Sequence, residues 1–219
     1  MIVISVKQLL GATTQFGAGA SLGRDHFAQI VERIRQAQAT TADDLVCFDY
    51  TGVEDVSASY VKATLLAVHQ CGRLAAGTLS AGEVLGARAS IMPLEVVVLA
   101  FGTNDDVKVC LNDVFAANGL AILAADVDSN GQFVGAELLG VTEAKAFRTL
   151  QLAARYDEVT ATLLHSANSA ELNGVTGWNN RLAELHRQLL LRRQTSGRQH
   201  TYRPLVKGEI RYGKVLSRK

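Results

Sequence analysis

Apolar runs alternate with helical patterns along the first two thirds of the chain. The clearest run, residues 94–101 (LEVVVLAF), is continuous and rich in β-branched side chains, as expected of a buried strand. Between such runs, apolar residues recur three to four positions apart, which predicts helices with one buried face. This alternation predicts an α/β fold with a mixed or parallel sheet. The predicted strands span residues 1–6, 43–50, 94–101, 120–125 and 133–137, and the predicted helices residues 21–38, 57–70 and 104–118.

A different pattern follows residue 142. Trp178, Leu182, Leu185 and Leu189 fall three to four positions apart, which predicts a helix with these side chains facing inward. Two β-prone runs then flank Ser196-Gly197 and predict a hairpin. A helix followed by a basic hairpin is the order of a winged helix-turn-helix, in which the helix enters the major groove of DNA. Before these elements, helices are predicted at 142–154 and 159–166, and a third short helix or a turn at 168–172.

Polar residues stand at the predicted helix starts. Ser21, Ser57, Thr103 and Thr142 are candidate N-caps, because a side-chain oxygen there can accept a bond from an unpaired N–H of the first turn. Ser21 follows a glycine-rich, uncharged segment, residues 11–23 (GATTQFGAGASLG). A glycine-rich loop at a helix start can hold phosphate, but this one lacks the Gly-Lys-Ser ending of a P-loop. A turn or a hairpin is favoured there.

Charge divides the chain more sharply than composition does. The net charge is +1, yet residues 143–219 carry 14 Lys/Arg against 6 Asp/Glu, and residues 1–142 carry 8 against 15. A basic part joined to an acidic part points to nucleic-acid binding by the basic part. We therefore predict an α/β domain at 1–128, a hairpin or linker at 129–142, and a basic domain at 143–219.

Residues 48–65 read FDYTGVEDVSASYVKATL, an apolar strand ending in Asp49, a short turn and a helix. This stretch resembles the STAS fold of anti-sigma-factor antagonists, and the resemblance covers roughly residues 1–125. It implies a STAS-like sandwich of sheet and helices in that part of the chain. The matching residues are Asp49, Gly52, Val53, Val56, Ser57, Ser59 and Tyr60.

In anti-sigma-factor antagonists, a serine at the start of this helix is phosphorylated by a partner kinase, which breaks partner binding. The resemblance implies this role for Ser59, with Ser57 nearby. A phosphate there would add negative charge at the positive end of a helix dipole. The alternative is that Ser57 caps the helix and Ser59 lies in its first turn. That alternative is favoured, since Tyr60 stands where the family has glycine.

Residues 143–205 resemble winged-helix regulators, which implies a second, α+β domain that binds duplex DNA. One departure is Gln188, where such proteins commonly have glycine before the hairpin. The matching residues are Asn180-Arg181-Leu182, Leu185, Leu190, Arg193, Gly197-Arg198, Tyr202 and Pro204.

Candidate DNA contacts follow from the side chains left facing outward. Asparagine can pair with adenine and arginine with guanine, so the outward residues of the helix have base-reading chemistry. Cations and polar groups of the hairpin suit phosphate or minor-groove contact. The basic segment 206–219 is expected to add nonspecific phosphate affinity. The candidate contacts are Thr176, Asn179, Asn180, Arg181, Arg187, Arg192, Arg193, Arg198, His200 and Arg203.

Other residue types argue against catalysis, metals and membranes. The cysteines, at 47, 71 and 110, form no CxxC pair, and the five histidines are scattered, so we expect no metal, no cofactor and no enzyme activity. Residues 126–131 (DVDSNG), with Glu137 at the twelfth position, superficially match a calcium loop, but strand-like flanks favour a hairpin turn. No apolar window is long enough to span a bilayer, and the N-terminus lacks signal-peptide features, so a cytoplasmic location is expected.

Two functions remain open at the level of sequence. The leading hypothesis is a regulator with an acidic, STAS-like partner-binding or sensing domain and a basic winged helix that binds DNA, with a homodimer expected because winged helices usually read palindromes. The alternative is a protein-interaction switch, in which the STAS-like domain binds an ATPase or kinase and no DNA is read. Salt-dependent duplex binding would favour the first hypothesis.

Overall fold

The computed structural model of the chain describes residues 1–11, 16–17, 19–77, 93–171, 174–196 and 199–213; of residues 16, 17, 196 and 199 it describes the backbone alone. The strands are β1 (Ile2–Ser5), β2 (Phe16–Gly17), β3 (Leu45–Asp49), β4 (Asp55–Val56), β5 (Val97–Phe101), β6 (Ala121–Val127), β7 (Phe133–Gly140), β8 (Leu191–Ser196), β9 (Gln199–Pro204) and β10 (Glu209–Tyr212). The α-helices are α1 (Val6–Leu10), α2 (Ala20–Thr40), α3 (Ala58–Val61), α4 (Ala67–Ala75), α5 (Asp105–Ala117), α6 (Ala144–Ala153), α7 (Ala161–Ala167) and α8 (Val175–Arg187), and a π-helical segment, Lys62–Leu66, joins α3 to α4.

A six-stranded sheet forms the centre of the molecule, in the order β1-β3-β5-β6-β7-β10. All neighbours are parallel except β6 and β7, which form an antiparallel hairpin. The mixed α/β class predicted from the alternation is therefore confirmed. In the hairpin turn, Asp128 Oδ1 accepts bonds from the N–H groups of Asn130 (2.9 Å) and Gln132 (2.8 Å). Glu137 lies on β7 and forms an ion pair with Lys108, whose Nζ is 2.9 Å from its carboxylate. The prediction of a hairpin turn leading into a strand is therefore confirmed.

One face of the sheet is covered by α2, α5 and the helix that runs from α3 through the π-helical segment to α4; this is the upper layer. Alternate strand residues such as Val46 and Phe48 point into it, where they meet Ile30, Ile34 and Leu65. The layer is closely packed: a Cβ on Gly23 of α2 would lie 2.7 Å from Ala63 Cβ, so only glycine allows this helix crossing.

The opposite face is covered by α6, α7, α8 and the β8–β9 hairpin; this is the lower layer. Leu45, Cys47 and Leu99 point into it and share one core with Leu150 of α6 and Leu182 of α8. Cys47 is a buried core residue, and burial raises the pKa of its thiol to about 12. Both faces of the sheet are therefore buried, which gives three layers.

Strand pairing and core packing cross the boundary that charge predicts. β10 joins the edge of the sheet through β7, with Ile210 opposite Ala136. The segment predicted as a linker is mostly β7 itself. Both observations join residues 1–128 to residues 143–219 through one sheet. Of the basic segment 206–219, residues 209–212 form β10, and residues 214–219 lie outside the described part of the chain.

The helix starts differ from the predicted ones in detail. Ser57 is confirmed as an N-cap, since its Oγ accepts a bond from Tyr60 N–H at 3.2 Å. The N-cap of α5 is Asn104, whose Oδ1 accepts from Val107 N–H (2.9 Å) while its Nδ2 donates to Val53 O (3.0 Å). The N-caps predicted at Ser21, Thr103 and Thr142 are wrong, because Gly19, Asn104 and Glu143 hold these positions.

Candidate functional site

Residues 144–204 form a compact arrangement of three helices and a hairpin. α6 and α7 both contact α8, and β8 and β9 pair in register from Leu191 opposite Pro204 to Ser196 opposite Gln199. Val159, between α6 and α7, forms an antiparallel bridge to Tyr202, with both N–H to O distances at 2.8 Å. The order along the chain is helix, bridging strand residue, helix, helix and hairpin. The sequence does not predict this bridge, because its pattern places residue 159 in a helix.

α8 has one buried side and one open side. Trp178, Leu182 and Leu185 are fully buried, as the spacing predicts. Thr176, Asn179, Asn180 and Arg187 are exposed on the other side. No acidic residue occurs in the first turn of α8, and the structure leaves the two asparagine amides on its open surface. Four of the predicted contacts therefore share one accessible helix face.

Arg181 occupies an intermediate position. Its guanidinium carbon lies 5.4 Å from the centroid of the Trp178 ring, a cation–π geometry. The side chain is half-buried and covers the edge of the hydrophobic core. A base contact by Arg181 would require the guanidinium to leave this ring.

Two arginines of the hairpin already have acidic partners. Arg192 Nη2 lies 3.1 Å from Asp44 Oδ1, and Arg203 Nε donates to Glu158 at 2.8 Å. Such partly exposed pairs are worth about 1 kcal/mol or less, so phosphate can replace them. Spacing could not predict them, because each joins residues far apart in sequence.

The other predicted hairpin contacts are placed differently. Arg193 bonds with the hydroxyl of Tyr202, and His200 Nδ1 lies 3.1 Å from Thr195 Oγ1. Both stand on the strands rather than at the turn. Arg198 lies outside the described residues.

The end of α8 departs from the winged-helix pattern by one position. The residue with positive φ is Leu189 (φ 58°), whereas Gln188, which replaces the expected glycine, has φ −82°. Leu190 N–H bonds to Leu185 O at 2.9 Å, which closes the helix. The Gln188 side chain accepts from Thr142 Oγ1 (3.1 Å) and donates to Glu184 (2.9 Å).

The end of α8 also touches the upper part of the fold. A Cβ on Gly72 of α4 would lie 2.8 Å from Leu189 Cδ1 and 2.4 Å from Val96 O. His69, one turn earlier, is buried and bonds with the backbone of Gln188. Burial lowers the pKa of His69 to about 3, helped by nearby Arg73 and opposed by the Gln188 bond. The helix that begins at Ser57 therefore ends against the helix with the candidate DNA contacts.

The two serines singled out by the STAS resemblance lie where two helices begin. Ser57 Oγ accepts a bond from Gly19 N–H (3.2 Å), at the start of α2, and lies 3.1 Å from Ser59 Oγ. Ser59 is exposed, while Ser57 is half-buried by these contacts. Phosphorylation of either serine stays a prediction.

The tyrosine that replaces the family glycine has a structural role. The Tyr60 hydroxyl lies 2.9 Å from His26 Nδ1 of α2, and both side chains are buried. Burial raises the pKa of Tyr60 and lowers the pKa of His26, so both groups are held neutral. The pair links α2 to α3 through the upper core.

A surface cleft lies at the carboxyl ends of strands β3, β5 and β6. It has a volume of about 430 Å³ and is lined by Thr51, Gly102, Thr103, Asp126 and Asp128, among others. The parallel strands follow one another in chain order from β1 to β6, so the sheet has no point of reversal at which nucleotides commonly bind. Asp126 is paired with Arg211 Nη2 at 2.6 Å. Within the described ranges, no three His, Cys, Asp or Glu residues form a metal-ligating group.

No protein-family model, curated protein or solved structure matches this chain. In the described part of the chain, every helix is too short or too polar to cross a bilayer.

Proposed function

We propose that the protein is a DNA-binding regulator. In this proposal residues 144–204 act as a winged helix-turn-helix, with α8 as the reading helix and β8–β9 as the wing. The STAS-like part, residues 1–125, binds a partner or senses a signal. The observation that carries the proposal is the order of elements in the lower layer, in which Val159 pairs with the second strand of the hairpin. This order and the basic character of the segment are those of winged-helix DNA readers.

The surface of α8 supports the same function. Asn179 and Asn180 lie exposed in its first half, where a reading helix meets base edges, and an amide there can bond adenine at two positions. Thr176, at the start of the helix, has a hydroxyl suited to a phosphate oxygen. The buried side chains fix the helix on the core without involving this face.

Fluorescence anisotropy with a random-sequence duplex across a salt series tests the proposal. We expect micromolar or tighter binding at low salt that weakens as salt rises, because each neutralised phosphate releases counterions. The double variant Asn179→Ala/Asn180→Ala should bind specific sites more weakly while it folds normally. A selection from a random duplex library with the wild type would supply such a site.

The matched control is Gln29→Ala, an exposed amide on α2 in the opposite layer. It should bind duplex as the wild type does. Absence of wild-type binding at low salt would refute the proposal. Equal binding by the asparagine variant and the wild type would remove α8 from the reading role.

A second candidate function rests on apolar exposure at the same helices. Leu163 of α7 and Val175 at the start of α8 are 37% and 39% exposed, and apolar side chains at that position suit a protein partner. In that case the protein is an interaction switch, with Ser59 accessible to a kinase. A Leu163→Ser/Val175→Ser variant that binds duplex normally but loses a co-purifying ATPase would favour this alternative.

A further inference from the structure

A basic cleft of about 500 Å³ lies between α6 and the segment that leads into β10. Arg148 of α6 and Arg155, two residues past the end of α6, line one wall, and Lys207 lines the other, with Glu209 as the acidic residue in the lining. Gln151 closes the floor, since its Nε2 donates to Ile210 O at 3.0 Å. The cleft exists because β10 joins the main sheet, so its second wall is not part of the winged-helix unit.

The cations of the cleft continue a stripe along α6. Lys145, Arg148 and Gln151 recur every three residues on the outer side of α6, Arg155 follows in the turn after it, and Leu150 and its neighbours face the core. At 1.5 Å per residue, the helical part of the stripe from Lys145 to Gln151 is about 9 Å long, and Arg155 extends it further. One DNA strand carries a charge about every 3.4 Å along the helix axis, so a stripe of this length spans several phosphates.

Intramolecular pairs neutralise this surface only in part. Arg148 Nε lies 3.5 Å from Glu171 Oε1, both side chains being partly exposed, and Lys207 pairs with Asp157. Arg155 and Lys145 form no ion pair with any residue that the structure describes. Exposed pairs are weak, so phosphate can compete for Arg148 and Lys207 as well. The surface therefore keeps a positive excess that suits a polyanion.

The stripe begins beside α8. Glu171, the partner of Arg148, stands in the turn between α7 and α8, a few residues before α8 starts at Val175. A duplex bound to the first turns of α8 therefore has Arg148 of the stripe within reach. A protein bound to this surface would need carboxylates at matching spacing, whereas duplex DNA supplies evenly spaced anions along its whole length.

We infer that the α6 stripe, Lys145, Arg148 and Arg155 with Lys207 across the cleft, binds the phosphate backbone of the duplex that α8 reads. The inference rests on the proposed function and extends it to a second surface. Arginine suits this role, because its planar guanidinium can bond two phosphate oxygens at once. The contact adds affinity that does not depend on base sequence.

The experiment compares salt dependence for two charge-matched double variants of the full chain. Arg148→Ala/Arg155→Ala removes two cations of the stripe, and Arg24→Ala/Arg33→Ala removes two exposed arginines of α2 on the opposite layer. Binding of random-sequence duplex is measured by anisotropy between low and moderate salt. For the stripe variant, the slope of log affinity against log salt should become shallower by roughly 2, at about 0.9 per lost phosphate contact. The α2 variant should keep the wild-type slope.

Each other outcome overturns the inference. If the stripe variant keeps the wild-type slope while Asn179→Ala/Asn180→Ala weakens specific binding, α8 reads DNA and the stripe does not contact it. If both arginine variants lose slope equally, net charge rather than the stripe is responsible. If the wild type binds no duplex at low salt, the proposed function fails and the inference fails with it.

Discussion

At the scale of single residues, the contacts at the end of α8 could not be predicted from sequence. Winged-helix proteins commonly have glycine at the position of Gln188, but here the neighbouring Leu189 adopts the positive φ. Leu189 is 3% exposed, so its burial compensates for a conformation that costs about 1–2 kcal/mol. His69 is similar: nothing in the spacing of its neighbours indicates that it bonds with the backbone of residue 188.

The buried His69 makes stability depend on pH. Its folded pKa is about 3, below the ordinary value of 6.5, so between these values the unfolded chain binds a proton that the folded chain does not. Stability is therefore lost as pH falls below 6.5, by at most about 1.4 kcal/mol per pH unit from this group. His69→Gln keeps a donor but cannot titrate, so its stability should fall less steeply from pH 6 to pH 4. Urea unfolding at each pH measures the two slopes, and identical slopes would contradict the prediction.

At the scale of elements, the sequence predicts most helices and strands of the described chain to within a few residues. Periodicity succeeds because each helix buries one face and each strand alternates between two cores. It fails where a side chain bonds beyond its own element. Asn104 displaces Thr103 as an N-cap because its amide also reaches the backbone of Val53 and Glu54. The β10 strand was missed because four residues with one buried side chain resemble a polar tail.

The start of α3 supplies a prediction at this scale. Ser57→Ala removes the acceptor for the N–H groups of Tyr60 and Gly19, so two helix starts lose a bond. We expect a loss of about 0.5–2 kcal/mol in the free energy of unfolding, the usual cost of an N-cap. Ser59→Ala is the control, since Ser59 is exposed and, among the described residues, its hydroxyl bonds only with Ser57; it should change stability by less than about 0.5 kcal/mol. Equal effects in urea unfolding would exclude the capping role of Ser57.

At the scale of the whole molecule, charge divides the chain into two parts, and one sheet joins them. The sequence did contain a signal for this arrangement. Residues 45–48 and 96–101 are apolar at every position, which is typical of strands covered on both faces, yet the helices that the structure describes within residues 1–142 cover only one face. The second face needed a cover, and α6 to α8 provide it. Charge could not reveal this, because it reports the surface of a segment and not what the segment packs against.

Because one sheet carries both cores, we expect a single unfolding transition. Ile210→Ala in β10 removes a side chain that is 2% exposed, in the edge strand, and should lower the free energy of unfolding by about 2–5 kcal/mol. Because Trp178, the one tryptophan of the chain, lies in the lower layer, its fluorescence follows that layer, while far-UV circular dichroism follows the whole chain. Both signals should shift together in urea, and Glu209→Ala, an exposed change in the same strand, should shift neither. The contrary outcome is a fall in the fluorescence midpoint with no change in the circular dichroism midpoint. It would mean that residues 1–142 fold alone, which contradicts a single unfolding transition.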